Sequence, residues 1–392
     1  MTPPQLMRSS HRLDQLPGFS IDQVASDAGS DPGVLRLENL DTDLRPPPEA
    51  IEATRAALDS DEANSYLPFT GREDLRHAIA QRLQKQTGIP YTERDVVITC
   101  GATEGILDAL LASTDPGDEV ILTDPIYAGI INRVRLAGAV PRFVPLLVEH
   151  GEWRLEVGAL GPASRPNTRA LLAMSPSMPS GAVLDRAEWD AIADLCRRES
   201  LWLIYNAATE RILFDGRPQI HPAALPGMAE RTITIGSVSK EFRMIGWRVG
   251  WVAARGDIVE KIARVHIYNV VTPIGIAQAG ALAALRSSPA DAEACVLEWQ
   301  ARRDTVLQQL ADYPVVRPGG GWCLLLDTAA MGFEPAAASK LLLDRGRVAA
   351  TPMQHWGQTV APRYLRLVFS NEPVSRLATL RERFRRAFDQ GC

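Results

Sequence analysis

Six short apolar runs, separated by stretches with helical periodicity, constrain the fold of this chain more than any other feature. The runs lie at residues 96–99, 119–123, 169–174, 201–205, 232–235 and 250–254. Strands that alternate with helices in this way are typical of βαβ units, which build a mostly parallel sheet covered by helices. The sequence therefore predicts an α/β fold around a buried sheet.

The chain is also long enough for two domains. It has 392 residues, more than one small core usually holds. Residues 1–34 are polar and turn-rich, so we expect an N-terminal arm or disordered leader there. Residues 35–285 contain the strand–helix alternation, and residues 286–392 suit a smaller α+β domain, with residues 35–50 shared between the two. A helical stretch from about residue 257 to 312 should break at Pro273 and near Pro289.

The charge balance and the cysteines argue against several classes of function. Forty-two basic and forty-seven acidic residues leave a net charge of −5, which gives no basis for binding nucleic acid or an anionic membrane. The five scattered cysteines have no CxxC or metal-finger spacing, so we predict reduced thiols and no metal site. No apolar stretch reaches about eighteen residues, and the first residues lack the apolar core of a signal peptide. We therefore expect a soluble cytoplasmic protein.

Residues 236–250, GSVSKEFRMIGWRVG, carry the strongest chemical signal. A lysine amine forms a Schiff base with an aldehyde when burial or neighbouring cations keep part of it neutral. Ser237 and Ser239 offer hydroxyl donors beside Lys240, and Arg248 can present a planar fork of donors to a phosphate. The segment predicts a lysine held beside a bound phosphate.

Three further features fit such a site, although each has a simpler interpretation. Gly101, Ala102 and Thr103 precede a predicted helix, where N–H groups and a hydroxyl favour an anion, but many helices begin this way. Tyr127 follows a strand, where a tyrosine is often only partly buried with its hydroxyl in water. Arg366 lies within an apolar strand and needs an anionic partner, either a protein carboxylate or a bound substrate.

The spacing S-x-S-K-x5-G-x-R-x-G closely resembles the cofactor-lysine signature of the class I and II aminotransferases, which use pyridoxal phosphate. The resemblance covers about residues 35–385, with the other motifs in the same order. It implies a fold type I enzyme, with a mostly parallel seven-stranded sheet sandwiched by helices and a small α+β domain. It also implies pyridoxal 5′-phosphate as cofactor, an amino-acid substrate that reacts through a Lys240 Schiff base and a Cα carbanion, and a homodimer with active sites at the interface.

The resemblance assigns roles to individual residues. Lys240 is the catalytic lysine, and Asn39 and Arg366 bind the substrate, Arg366 by clamping the α-carboxylate. Tyr127 stacks on the cofactor ring, whereas Tyr66, in SYLPFTGREDLR, crosses the interface to the cofactor phosphate of the second subunit. The full set of implied cofactor contacts is Tyr66, Gly101, Ala102, Thr103, Tyr127, Met178, Asn206, Thr209, Ser237, Ser239, Lys240 and Arg248.

Three residues expected around the cofactor ring depart from the family pattern. Asn206 replaces an aspartate that keeps the ring nitrogen protonated, and a neutral amide supplies no charge for that purpose. Thr209 replaces a tyrosine, and Met178, in SPSMPSG, replaces an asparagine; both family residues donate to the phenolic oxygen of the cofactor. We therefore expect a ring that withdraws electrons less strongly than in similar enzymes.

These departures leave the reaction open. One interpretation is a transaminase with an altered ring site. Another is a different reaction on an amino acid, such as elimination, replacement or carbon–carbon bond formation, for example on S-adenosylmethionine, on which a branch of this family acts. A third is a non-catalytic protein that binds the cofactor, against which Lys240 and Arg366 argue. Residues 39–43 and 353–356, with Trp247, Trp322 and Trp356 nearby, contain no pattern that identifies the substrate.

Overall fold

The predicted alternation of strands and helices builds an eight-stranded sheet. The computed structural model describes residues 10–17 and 20–389. Its strands are β1 Leu35–Arg36, β2 Val96–Thr99, β3 Glu119–Asp124, β4 Val140–Glu149, β5 Glu152–Leu155, β6 Thr168–Met174, β7 Trp202–Asn206, β8 Thr232–Ser237, β9 Gly250–Ala253, β10 Val315–Val316, β11 Cys323–Asp327, β12 Val348–Ala349, β13 Thr351–Pro352 and β14 Tyr364–Val368. The large sheet has the order β2-β9-β8-β7-β6-β3-β4-β5. The α/β fold class is therefore confirmed.

The sheet has one strand more than we predicted. Strands β4, β3, β6, β7 and β8 run parallel, whereas β2, β9 and β5 pair antiparallel with their neighbours. The additional strand arises because β4 turns back into β5 through His150 and Gly151, whose φ angles are 51° and 80°. Two residues with positive φ form the turn type that matches the twist of a two-residue hairpin.

Helices pack on the large sheet and also make up much of the second half of the chain. They are α1 Ser20–Ala28, α2 Pro48–Leu58, α3 Glu73–Thr87, α4 Ala102–Ser113, α5 Ala128–Leu136, α6 Leu160–Ala163, α7 Arg186–Arg198, α8 Ile258–Val270, α9 Gly275–Arg286, α10 Pro289–Gln309, α11 Pro335–Leu341, α12 Val374–Leu377 and α13 Leu380–Phe388. The predicted break at Pro273 falls between α8 and α9. The break predicted near Pro289 falls just before α10, which begins at Pro289 and is capped by Ser288 through a hydrogen bond from Ala290 N–H at 3.3 Å. Within the described residues, no helix is long and apolar enough to span a membrane.

A smaller antiparallel sheet, in the order β10-β11-β14-β13, lies in the last hundred residues. Its core cluster includes Leu324, Leu326 and Leu367, and it also takes in Leu35 and Leu37 from the start of the folded region. Strand β1 pairs with β12, which joins the same two parts of the chain. These contacts support our proposal of a boundary near residue 285, with residues 35–50 shared between two domains.

The N-terminal segment is more ordered than the expected leader. Residues 1–9, 18 and 19 lie outside the described part, but residues 20–28 form α1. Val24 and Ala28 pack with Val34 and Ala349 in a small apolar cluster. Apolar residues at positions 21, 24 and 28 repeat at helical spacing, which the turn-forming residues that follow had obscured. The expectation of a disordered leader is therefore wrong for α1.

Candidate active site

The predicted site residues meet in a cavity at the carboxyl ends of the parallel strands. Met174 ends β6, Asn206 ends β7, Ser237 ends β8, and Tyr127 follows shortly after β3. Ligands of open α/β sheets bind at this edge because the loops there are free to carry polar groups. The cavity has a volume of about 270 Å³ and is lined by Ile21, Asn39, Leu40, Ala102, Thr103, Ile106, Tyr127, Met174, Met178, Asn206, Ala208, Thr209, Ser237, Ser239, Lys240, Ile245, Arg248 and Arg366.

Lys240 is the lysine that lies in this cavity. The chain has four lysines, and the exposed ones are Lys85, Lys261 and Lys340. Nζ of Lys240 donates to the carbonyl oxygen of Leu40 at 3.0 Å and lies 4.6 Å from the centre of the Trp322 ring. Burial lowers the pKa of Lys240 to about 8, although the carboxylate of Asp41 opposes this shift. A large fraction of the amine is therefore neutral near pH 8, as a nucleophilic lysine requires.

One end of the cavity is rich in hydrogen-bond donors. We call it the donor end, and it consists of Ala102, Thr103, Ser237, Ser239 and Arg248. Ala102 begins α4, so backbone N–H groups without intrahelical partners lie at this end. The hydroxyl oxygens of Ser237 and Ser239 are 2.8 Å apart, and the N–H of Ser239 donates to Ser237 Oγ at 3.0 Å. This combination of amide, hydroxyl and guanidinium donors suits a phosphate.

Gly101 and Arg248 depend on each other for their positions. Arg248 has a φ of 54°, and its Nη1 donates to the carbonyl oxygen of Ile245 at 2.9 Å. Gly101 has a φ of 81°, and a Cβ at this position would collide with Nη2 of Arg248. Glycine therefore allows the guanidinium to reach the start of α4. Among the described residues no carboxylate forms an ion pair with Arg248, so its charge is available to an anion.

A second part of the cavity carries no charge. We call it the neutral end, and it consists of Met174, Met178, Asn206 and Thr209. Nδ2 of Asn206 donates to Met174 Sδ at 3.5 Å, and its Oδ1 accepts the N–H of Ala208 at 3.2 Å. The hydroxyl of Thr209 donates to the carbonyl oxygen of Pro176 at 2.8 Å. The substituted residues thus bond to the protein itself, and thioethers are weak acceptors.

Arg366 is a fully buried cation on β14. Its Nη2 donates to the backbone oxygen of Glu38 and, at 3.3 Å, to Thr351 Oγ1, and its Nη1 lies 3.8 Å from Met178 Sδ. The guanidinium stacks over Trp356 at 4.7 Å, while its Nε has no hydrogen-bond partner in the described part of the chain. Burial lowers the pKa of Arg366. A buried guanidinium that no described carboxylate pairs with, and that has a free donor, suits a carboxylate ligand.

Tyr127 is held beside Trp356 by a buried carboxylate. The two ring centres are 5.6 Å apart, and the N–H of Ile126 donates to the carbonyl oxygen of Trp356 at 2.8 Å. The carboxylate of Asp124 accepts backbone N–H groups at distances of 2.7 to 3.0 Å from Gln358, Thr359, Val360 and Ala361. This contact joins the loop after β3 to residues 357–361, and so fixes Tyr127, which lines the cavity, against the buried Trp356 behind it.

Two predicted site residues lie outside the lining of the cavity. Gly101 is next to Arg248, whereas Tyr66 is 81% exposed, so any role for it depends on a second subunit. The residues that our sequence analysis did not assign to the site are Ile21, Leu40, Ile106, Met174, Ala208 and Ile245. Leu40 belongs to residues 39–43, in which we found no pattern that identifies the substrate, and Ile21 had a detectable signal in the apolar spacing of α1.

A buried group of titratable side chains on α4 and α8 supports the donor end. Oε1 of Glu104 and Nδ1 of His266 are 2.7 Å apart, and Nε2 of His266 donates to the carbonyl oxygen of Phe69 at 3.0 Å. The second oxygen of Glu104 accepts the N–H of Cys100 in the loop before α4. Burial, reinforced by Glu104, raises the pKa of Asp108 to about 8. Three potential ligand atoms of this group lie within 4.8 Å of one another, a spacing compatible with a metal ion. All three side chains also form hydrogen bonds within the protein, since Oδ1 of Asp108 accepts from Nδ2 of Asn269 at 3.5 Å.

Comparison with known proteins places this geometry in one family. Residues 34–384 match the family described as Aminotransferase class I and II. The chain is 34% identical over 347 residues to an arginine–pyruvate transaminase of Pseudomonas aeruginosa, with 87% of each protein covered. It is 32% identical over 359 residues to aromatic-amino-acid aminotransferase 2 of Thermococcus litoralis, with 90% of this chain and 91% of that protein covered.

Solved structures agree with this relationship. The N-succinyldiaminopimelate aminotransferase of Mycobacterium tuberculosis has a TM-score of 0.90 and 30% identity, and the match covers 98% of this chain and 100% of that chain. The aspartate aminotransferase of Thermus thermophilus with maleate has a TM-score of 0.89 at 28% identity, over 97% and 100% of the two chains. The chain therefore belongs to the class I and II aminotransferases, a family of enzymes that act on amino acids and are known to use pyridoxal phosphate.

Proposed function

We propose that this enzyme binds pyridoxal 5′-phosphate in the cavity around Lys240 and transfers the amino group of an amino acid. The observation that carries the proposal is Lys240, the lysine of the chain that lies in the cavity, whose pKa is lowered to about 8. Arg248 and Arg366, each without a described carboxylate partner, line the same cavity. A phosphate and a substrate carboxylate would satisfy these two cations.

The residues present fit this cofactor. The donor end offers Arg248, two serine hydroxyls and the start of α4 to the phosphate, and Gly101 leaves room for the guanidinium. We propose cofactor contacts for the donor end and Gly101, for Tyr127 through its ring, and for Met178, Asn206 and Thr209 beside the pyridine. We propose that Asn39 and Arg366 bind the substrate.

The proposed role of each residue follows from its position in the cavity. Bound pyridoxal phosphate supplies an electron-withdrawing ring that makes the Cα–H bond of an attached amino acid more acidic. Arg366 holds the α-carboxylate through a bidentate contact and so orients the Cα–H bond. Nζ of Lys240, released as a free amine, accepts the Cα proton and can return it. Tyr127, packed on Trp356, would exclude water from one side.

The neutral end favours a second candidate reaction. Asn206 supplies no negative charge to hold a proton on the ring nitrogen, and the cavity lining contains no aspartate or glutamate. Without a carboxylate beside the ring nitrogen, this end of the cavity would stabilise a protonated ring less, which would favour elimination or replacement at Cβ or Cγ over amino transfer. Carbon–carbon bond formation, for example on S-adenosylmethionine, belongs to the same group.

Product analysis separates the two reactions. The purified enzyme with pyridoxal phosphate is incubated with a panel of amino acids, including S-adenosylmethionine, with and without a keto-acid acceptor, and products are identified by mass spectrometry. We expect a new amino acid formed from the acceptor. Ammonia or methylthioadenosine released without an acceptor would establish the second reaction. Absence of any product across the panel would refute both.

We also propose a homodimer in which Tyr66 reaches the cofactor of the second subunit. Tyr66 is 81% and Tyr268 85% exposed, and Phe69, Val271 and Ile274 expose apolar surface nearby. The segments that carry them are in contact, because His266 donates to the carbonyl oxygen of Phe69. Exposed apolar patches of this kind mark association surfaces.

Sedimentation velocity tests the dimer, and a purely monomeric enzyme would contradict it. We further propose a cytoplasmic location. The described cysteines are free thiols, whereas Cys392 lies outside the described residues.

A further inference from the structure

We propose that the preferred substrate of this enzyme has an uncharged, apolar side chain. This inference rests on the proposed function, because it takes Lys240 and Arg366 as the groups that hold the amino acid. It goes beyond that function by naming the class of side chain. Both the charges of the cavity and the apolar residues beside Arg366 favour such a side chain.

The charges of the cavity are matched without a charged substrate side chain. Its lining contains three cationic side chains, Lys240, Arg248 and Arg366, and no aspartate or glutamate. Arg248 is proposed to pair with the cofactor phosphate and Arg366 with the α-carboxylate, while Lys240 is the reacting amine. No cation of the lining remains for a second carboxylate, and no anion is present for an ammonium or guanidinium group. A charged side chain buried here would find no counter-charge among the lining residues of its own subunit.

The nearby carboxylates Asp41 and Glu38 do not line the cavity. Asp41 acts on Lys240 electrostatically, but its Oδ1 accepts the N–H of Thr42 at 2.8 Å. Oε1 of Glu38 forms an ion pair with Arg36 at 2.6 Å, its Oε2 has no hydrogen-bond partner in the described part of the chain, and its backbone oxygen accepts from Arg366. Because both carboxylates lie outside the lining, neither offers the cavity an anionic partner for a cationic substrate side chain.

The wall beside Arg366 is apolar and belongs to the main core. Ile21, Leu40 and Tyr127 pack against a buried cluster that includes Met178 and Trp356. Met178 Sδ lies 3.8 Å from Arg366 Nη1, and the Trp356 ring stacks on the same guanidinium at 4.7 Å. Trp356 lies behind the guanidinium, whereas Ile21, Leu40, Tyr127 and Met178 line the cavity. An amino acid whose carboxylate binds Arg366 therefore has the apolar surface of these four residues available to its side chain. Burial of apolar side-chain atoms against it is favourable.

Three carboxylic acids of similar length test the inference without depending on turnover. They are 4-methylpentanoate, glutarate and 5-aminopentanoate, which carry a neutral, an anionic and a cationic end. Binding to the enzyme with its cofactor is measured by calorimetry. We expect 4-methylpentanoate to bind about 10- to 100-fold more tightly than the other two, because an unpaired buried polar group costs roughly 1–3 kcal/mol. Tighter binding of glutarate or 5-aminopentanoate would overturn the inference.

An Arg366→Leu variant separates failure of this inference from failure of the proposed function. If Arg366 is the anchor, all binding of these acids should weaken in the variant. Binding that depends on Arg366 but prefers a charged acid would refute only the apolar class. Binding that is unchanged in Arg366→Leu would refute the proposed carboxylate anchor itself.

A charge placed on the wall provides a second test. Ile21→Lys adds a cation to the cavity, and Gln23→Lys adds the same charge to the exposed side of α1. Glutarate affinity should rise about tenfold in Ile21→Lys, relative to 4-methylpentanoate, and stay unchanged in Gln23→Lys. An equal response in both variants would show that position 21 does not face the bound side chain. Should Ile21→Lys fail to fold, the ranking of the three acids by the unmodified enzyme still decides.

Discussion

The donor end and the neutral end of the cavity differ in what they offer a ligand. The donor end presents a guanidinium, two hydroxyls and a helix N-terminus, whereas the neutral end presents two thioethers, an amide and a hydroxyl bonded to the backbone. Both ends are assembled on neighbouring parallel strands of the same sheet. The difference indicates that anchoring of a cofactor and tuning of its reactivity are handled by separate residues, so each can change without the other.

The largest expected effect comes from removing the charge of the donor end. Arg248→Ala should weaken pyridoxal phosphate binding by roughly 2–5 kcal/mol, because a phosphate loses a buried charge partner. Fluorescence or absorbance titration of the apoenzyme measures this change. Arg264→Ala, which removes an exposed arginine from α8, is the matched control and should bind normally. An equal loss of affinity in both variants, or no loss in Arg248→Ala, would show that the donor end does not anchor the phosphate through Arg248.

The pH dependence of the free energy of unfolding should show how the buried group on α4 and α8 contributes to stability. Burial raises the pKa of Asp108 to about 8 in the folded protein, whereas an aspartate in an unfolded chain has a pKa of about 3.9. Between these values the folded state holds a proton there that the unfolded state has lost. The contribution of Asp108 to the free energy of unfolding is fully present below about pH 4 and is lost as the pH rises towards 8. Asp108→Asn should therefore raise the free energy of unfolding at pH 9 by roughly 1–3 kcal/mol and flatten its decline.

Urea unfolding from pH 5 to 9 measures that change, with the exposed Asp61→Asn as control. If the wild type and Asp108→Asn lost stability in parallel over this range, the raised pKa would be refuted. A stability change without any change in cofactor affinity would show that the group supports the fold alone and not the donor end.

A smaller effect is expected when the neutral end receives a charge. Asn206→Asp should stabilise a protonated ring nitrogen and increase the single-turnover conversion of the cofactor to its amine form about tenfold, equivalent to 1.4 kcal/mol. Stopped-flow absorbance follows this conversion, and Asn167→Asp on the surface is the matched control. An unchanged rate in Asn206→Asp would mean that the ring nitrogen does not limit the reaction. The neutral end would then not control the rate of this conversion.

Motifs close in sequence allowed much of the fold and site to be predicted. The strand predicted at 119–123 is observed at Glu119–Asp124, because a continuous apolar run has few alternatives in a buried parallel sheet. Strand β4 was missed because it contains Pro141 and Pro145 and is half-exposed along most of its length. The apolar stripe of α1 was hidden by the turn residues that follow it.

The rest of the site depends on contacts between distant parts of the chain. Leu40 receives the hydrogen bond of Lys240 from 200 positions away, and Met174 faces Asn206 across two neighbouring strands. No local pattern encodes such contacts, since they arise from strand order and packing. The substitutions Asn206 and Met178 were visible in sequence, but their actual partners, Met174 and Arg366, were not.

The account as a whole depends on where the cofactor attaches. The four lysines of the chain, Lys85, Lys240, Lys261 and Lys340, make this a direct measurement. The enzyme is incubated with pyridoxal phosphate, the linkage is fixed with borohydride, and the modified peptide is located by mass spectrometry. The account predicts stoichiometric modification of Lys240 and none of the three exposed lysines at limiting cofactor. Modification spread over the surface lysines, or an unmodified Lys240, would contradict it.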